Sequence, residues 1–142
     1  MNVLMLLKPK SEVDYLIDKN TLKQGLDKMC ANSYTAVPVL NKEGQYVGSI
    51  CEGDLLKYIV SSSFDSSALN NHKISEIVRR DYNSSVTVNV SMDSLIERAA
   101  DQNFIPVTDD RGFFIGIVTR KSIIEKFCVY DKTSLMQPLN AI

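Results

Sequence analysis

The sequence predicts a mixed α/β (α+β) protein made of two β-α-β-β-α units packed through their sheets about a pseudo-twofold axis. Residues 38–59 align without a gap on residues 106–127 at a constant offset of 68 (106 minus 38). An internal repeat of this kind marks one supersecondary unit used twice. Each copy runs Pro-Val, a polar pair, Gly, two bulky residues, Gly, an apolar strand, a polar cap and a two-turn apolar helix. A chain of 142 residues has room for two such units, and each is too small to bury enough surface alone, so the copies must share a core. The expected boundaries are 1–70 for the first unit with an N-terminal helical segment, 71–128 for the second with a leading linker helix, and 129–142 for a C-terminal tail.

The elements follow in order. The opening segment, with few apolar residues before Lys8 and Pro9, is too short to span a membrane and predicts a short helix packed on the module. Residues 13–17 form an apolar-rich strand. Thr21 and Gln24 then make a capping-box pattern that opens a helix to about residue 31, with Leu22, Leu26, Met29 and Cys30 at helical spacing. Residues 35–40 and 45–51 read as a hairpin joined by Asn41-Lys42-Glu43-Gly44, and residues 54–60 as a helix. The Ser- and Asn-rich stretch 61–71 predicts a loop. Residues 73–81 predict a short helix that mirrors the N-terminal segment. Val86, Val88 and Val90 alternate as in a half-buried strand, and Ser91 caps a helix from residue 92 to about 100. Here the offset is 70, so the second unit lacks two residues just before Asn103.

Composition excludes several function classes. A net charge of -1 gives no field for wrapping nucleic acid. Three cysteines without CxxC spacing suggest neither a disulfide framework nor a zinc site and fit a reducing cytoplasm. His72, the sole histidine, has no nucleophile pattern beside it, and no P-loop, HExxH or GxSxG occurs, so the protein is not expected to be an enzyme or to need a cofactor or metal. Asp109 and Asp110 fall in a hairpin turn.

The informative segments are Gly48-Ser49-Ile50-Cys51-Glu52-Gly53-Asp54 and Gly116-Ile117-Val118-Thr119-Arg120-Lys121-Ser122. Both join a strand to a helix N-terminus. The strand glycine leaves room for a flat ligand or another backbone, and the free N–H groups of the helix favour a phosphate. Cys51 with Asp54, and Thr119 with Ser122, can equally be plain helix caps worth about 0.5 to 2 kcal/mol. Arg120 and Lys121 oppose the dipole of their own helix, a conflict that a phosphate between them would relieve. Arg79 and Arg80, ending the expected linker helix, sit where cations are favoured anyway.

This repeated grammar resembles the CBS domain, an adenine-nucleotide-sensing module that occurs in tandem. The resemblance covers about residues 13–127. It implies that a hydroxyl at the Cys51 or Thr119 position contacts phosphate and that an acid at the Asp54 or Ser122 position binds ribose hydroxyls. Each copy keeps only one of the two, Asp54 in the first and Thr119 in the second, so equivalent sites are not expected. The resemblance also implies that Thr35, Ala36, Val37, Asn103, Phe104 and Ile105 line an adenine pocket, with Asp18 and Asn89 bordering it. It suggests a cytoplasmic regulatory module, a stand-alone CBS pair forming a homodimer, that binds AMP, ADP or ATP and signals to an unidentified regulated protein. A cyclic di-AMP receptor is the alternative ligand reading, since Tyr34-Thr35-Ala36 with Thr119 and Arg120 is similar to the pocket of such receptors. A ligand-free dimerisation module is the other. Neither nucleic acid nor a membrane is an expected partner.

Overall fold

A computed structural model of the chain describes residues 2–130, and the tail expected over 129–142 lies outside them beyond Tyr130. The first unit consists of β2 (Leu16–Ile17), α1 (Leu22–Asn32), β3 (Ala36–Leu40), β4 (Tyr46–Cys51) and α2 (Glu52–Ser61). The second consists of β5 (Val86–Thr87), α4 (Met92–Ala99), β6 (Phe104–Thr108), β7 (Phe114–Thr119) and α5 (Arg120–Tyr130). Two further elements complete the order, β1 (Lys8–Pro9) before the first unit and α3 (Ser66–Asn71) between the two. The sheets run β2-β3-β4 and β1-β7-β6-β5.

The repeat is reproduced bond for bond. Ala36 faces Cys51 and Phe104 faces Thr119, and the register slips at the same place, between Val39 and Leu40 and between Val107 and Thr108. In each unit the first short strand runs parallel to the second, Leu16 opposite Val39 and Val86 opposite Val107. The hairpin tips meet across the pseudo-twofold axis: Tyr46 N donates to Gly112 O and Phe114 N donates to Gly44 O, both at 3.0 Å. Each unit has its own core, centred on Val37, Ile50 and Leu55 in the first and on Ile105, Val118 and Ile123 in the second. A third cluster, Val13, Leu40, Phe104, Phe114 and Ile117, joins the sheets.

Sequence periodicity and structure part company in the segments between units. The N-terminal segment, expected to be helical and to belong with the first unit, makes a 3-10 turn over Val3–Met5, pairs antiparallel with the second unit's sheet, Lys8 opposite Ile117 and Pro9 opposite Gly116, and makes a second 3-10 turn over Lys10–Glu12. Val3 is buried in that unit's core. The linker does the reverse. Only Ile74–Glu76 is a 3-10 turn; Ile74 enters the first unit's core, and Arg79 exchanges two backbone hydrogen bonds with Ser49. Ladder bonds on an open sheet edge outcompete the short helix that the spacing suggested. Each unit is thus finished by the segment that precedes the other.

The same exchange explains the strand glycines. A Cβ on Gly48 would fall onto the carbonyl oxygen of Arg79, and one on Gly116 onto that of Lys8. Of the two occupants open to those glycines, a flat ligand or a backbone, a backbone is present in both copies. The stretch 61–71, expected as a loop, contains α3. Asp65 caps it by accepting from Ser67 N at 3.0 Å, and Leu69 anchors it in the first core. One cap and one buried side chain suffice for six residues, too short a span for a periodic signal. The alternating valines yield only Val86–Thr87 as strand.

Candidate functional site

The two units leave a cleft of about 300 Å³ between them, lined by residues 33–38 of the first, by Asn103, Phe104, Ile117 and Thr119 of the second, and by Lys8, Val13 and Asp14 of the N-terminal segment. Its position follows from the fold. Ala36 faces the sheet end at Cys51 and Phe104 the one at Thr119, and the cleft brings the α5 N-terminus at Thr119 beside the strand entry of the first unit. Val13, Phe104 and Ile117 belong to the inter-unit core and supply an apolar wall. The polar side chains are Lys8, Asp14, Ser33, Tyr34, Thr35, Asn103 and Thr119.

Six of the expected residues, Thr35, Ala36, Val37, Asn103, Phe104 and Thr119, therefore meet in one place. Val37 does so although its side chain packs into the first core, and Ile105, wholly buried, belongs to the second core and does not reach the cleft lining. Thr119 also caps α5, its Oγ1 accepting from Ser122 N at 3.0 Å while Ser122 Oγ donates to Thr119 O at 2.8 Å. Both expected chemistries of the pair are thus half spoken for by the backbone.

Arg120 is not among the residues that line the cleft. Its Nε donates to the carbonyl of Ala99, the last residue of α4, at 2.7 Å. A cation at a helix C-terminus satisfies an orphan carbonyl and the dipole together. The unfavourable position of Arg120 on its own helix is balanced this way without a ligand. Lys121 is exposed and lies 3.9 Å from Glu125.

The pseudo-equivalent cleft at Asp54 is organised differently. Asp54 Oδ2 accepts from Cys51 N at 2.9 Å, closing the α2 cap from the acid side, and Oδ1 lies 3.8 Å from Arg79 Nη1. The Arg79 guanidinium stands 4.1 Å over the Tyr82 ring. Tyr46 O–H bonds Ser49 Oγ and Asn83 O, each at 2.7 Å, and buried Gln102 donates to the carbonyls of Ser84 and Phe104. Burial pushes the Tyr46 phenol up to about 12, with the Ser49 hydrogen bond pulling it partly back and Tyr82 adding to the rise. Arg80 is exposed. Asp18 N bonds Leu40 O, at the opposite end of β3 from Ala36, and exposed Asn89 follows the matching strand β5, so neither is gathered into the cleft.

Lys8, Val13 and Asp14 were not among the residues expected from the sequence. The signal for them was that the linker mirrors the N-terminal segment; in the structure Lys8 stands opposite Ile117 as Arg79 stands opposite Ser49, and only those two sheet positions are related by the repeat offset. Tyr34, named with Thr35 and Ala36 in the cyclic di-AMP reading, donates its hydroxyl to Asp14. That hydrogen bond, followed by partial burial and the carboxylate's charge, raises the phenol's pKa. A second groove of about 700 Å³ runs between α1 and α2, lined mainly by Leu26, Met29, Leu55, Leu56 and Ile59, with Ser33 and Tyr34 shared between groove and cleft. No helix among the described residues is long and apolar enough to cross a membrane.

Comparison with known proteins agrees with this architecture. An uncharacterized protein of Methanocaldococcus jannaschii, MJ1426, is 31% identical over 123 residues, covering 66% of this chain and 73% of that protein. A crystal structure of CbpB in complex with c-di-AMP superposes with a TM-score of 0.85 at 25% identity, covering 94% of this chain and 90% of that one. A CBS domain protein from Streptococcus pneumoniae TIGR4 gives a TM-score of 0.82 at 26% identity, covering 96% and 89%. The CBS domain model matches residues 16–61 and 74–128, the two units already delimited by their sheets. The chain belongs to the CBS domain family, as a tandem pair whose two units complete each other's sheets.

Proposed function

We propose that this protein is a regulatory CBS pair that takes an adenine nucleotide in the Thr119 cleft and passes its occupancy to a partner protein, without catalysing a reaction. The observation that carries this reading is the make-up of the cleft. Val13, Phe104 and Ile117 offer an apolar wall for a purine, while Thr119 and Lys8 bring a hydroxyl and a cation for a phosphate. Lys8 makes no ion pair among the described residues, whereas its counterpart Arg79 faces Asp54. A volume near 300 Å³ is at the lower end for small-molecule sites and suits one nucleotide.

A second reading of the ligand is favoured by the likeness to CbpB bound to c-di-AMP. The cleft would then hold one nucleotide half of that molecule. The proposed assembly is a homodimer, for which Leu56 and Val60 on α2, with Phe64 just beyond it, and Ile124 and Phe127 on α5 supply exposed apolar faces. Free thiols at Cys30 and Cys51 suit a reducing cytoplasm.

Calorimetric titration of nucleotide-free protein with AMP, ADP, ATP and cyclic di-AMP tests the proposal. Micromolar binding of one nucleotide per chain, weakened by Thr119→Val and untouched by Asp54→Asn, is the expected result. No heat with any of them would sink the sensor reading and leave an interaction module.

A further inference from the structure

Asp14 introduces a carboxylate into a cleft whose other chemistry favours an anion. The two motifs explain the need for one. In the first unit a helix-borne acid, Asp54, stands three residues after the strand end; in the second that position is Ser122, whose hydroxyl is spent on Thr119 O. The second cleft therefore has no acid of its own from α5, yet it is lined by one from the N-terminal segment. Asp14 holds one donor among the described residues, the Tyr34 hydroxyl on Oδ2. A carboxylate offers about four acceptor positions over its two oxygens.

Phosphate cannot be what Asp14 meets, because two anions in one partly desolvated cleft repel. The carboxylate has to face the neutral, hydrogen-donating part of the ligand, with the phosphate toward Thr119 and Lys8. Its resident donor is a hydroxyl, so a ligand hydroxyl is the group that replaces it like for like and keeps a charge-assisted bond. We infer that Asp14 is the sugar-hydroxyl acceptor of the Thr119 cleft, standing in for the acid missing at Ser122, with the Tyr34 hydroxyl as the placeholder a ligand displaces. The inference rests on the nucleotide reading above and adds a specificity residue to it.

The test is titration of the full chain with AMP and cyclic di-AMP and with the 2′-deoxy form of each, for wild type, Asp14→Asn and Tyr34→Phe, with thermal melting as the folding control. Wild type should bind the ribose form about tenfold more tightly than the deoxy form. Asp14→Asn should lose about tenfold on the ribose form and bind both forms alike. Tyr34→Phe should keep the preference for ribose. Wild type that binds neither nucleotide overturns the nucleotide reading and this assignment with it. Binding by wild type that is unchanged in Asp14→Asn, or weakened with the ribose preference intact, overturns the assignment alone, as does a preference lost in Tyr34→Phe.

Discussion

Where the first unit carries Tyr46 and Ser49, the second carries Phe114 and Ile117, at identical positions of superposable hairpins. The two aromatic rings stack on each other across the pseudo-axis, with centroids 6.3 Å apart, so the exchange costs the shared core little. Its effect falls on the clefts. On the first side the hydroxyls of Tyr46 and Ser49 tie the sheet to Asn83, and Arg79, itself exposed, lies 3.8 Å from Asp54. On the second side the matching wall is apolar, and the matching cation, Lys8, is exposed. The two copies keep one backbone template and differ in the side chains that line it.

The largest expected effect strikes the template that both copies share. Gly48→Ala and Gly116→Ala each push a methyl group into a backbone carbonyl of the exchanged segment, and backbone cannot swing aside as a side chain can. Each should cost about 3 kcal/mol in chemical denaturation. Their functional consequences should diverge. Gly116→Ala displaces Lys8 and the segment leading to Asp14 and should lose ligand, while Gly48→Ala displaces Arg79 and should retain it. Equal loss of ligand in the two variants would erase the distinction between the clefts.

The next effect is electrostatic and belongs to the first unit. The Tyr46 phenol is protonated to about pH 12 in the folded protein against an ordinary value of 10.0. Between those values the folded state binds the extra proton. Its contribution is fully present below pH 10 and is lost as pH rises through about 12, on the order of 2 kcal/mol. Stability measured across that window should fall less steeply in Tyr46→Phe than in wild type. Phe114 has nothing to titrate, so the difference reports on the first cleft alone.

How much of this was legible beforehand depends on whether a feature is local. The capping box at Thr21 and Gln24, the hairpins and their shared offset are set by neighbours in sequence, and all are present as expected. Six cleft residues followed from the same local pattern. What the sequence hid is who completes whose sheet. Residues 73–81 have helical spacing, yet Ile74 is claimed by the first unit's core and Arg79 by Ser49 on the edge of β4, 30 residues away in the chain. Lys8 and Asp14 were missed for the same reason. The partner of Arg120 was hidden likewise, because the carbonyl it satisfies, Ala99 O, belongs to another helix.

The smallest effect separates capping from ligand chemistry at the motif itself. Cys51→Ser restores to the first copy the hydroxyl that Thr119 gives the second. A Ser oxygen at that N-cap can accept from the backbone N–H of Asp54 as Thr119 accepts from Ser122. Since Asp54 already bonds Cys51 N in a capping-box arrangement, the variant replaces its weak sulfur acceptor with an oxygen and should gain about 0.5 to 1 kcal/mol in stability. It should gain no nucleotide, because the Asp54 cleft stays bridged by Arg79 and walled by the Tyr46, Ser49 and Asn83 bonds. Calorimetry showing a second bound nucleotide in Cys51→Ser would mean that the missing hydroxyl, and not the polar bridging, had kept the first cleft empty. A stabilised variant that still binds at one cleft places the asymmetry in the walls and leaves the motif as a cap.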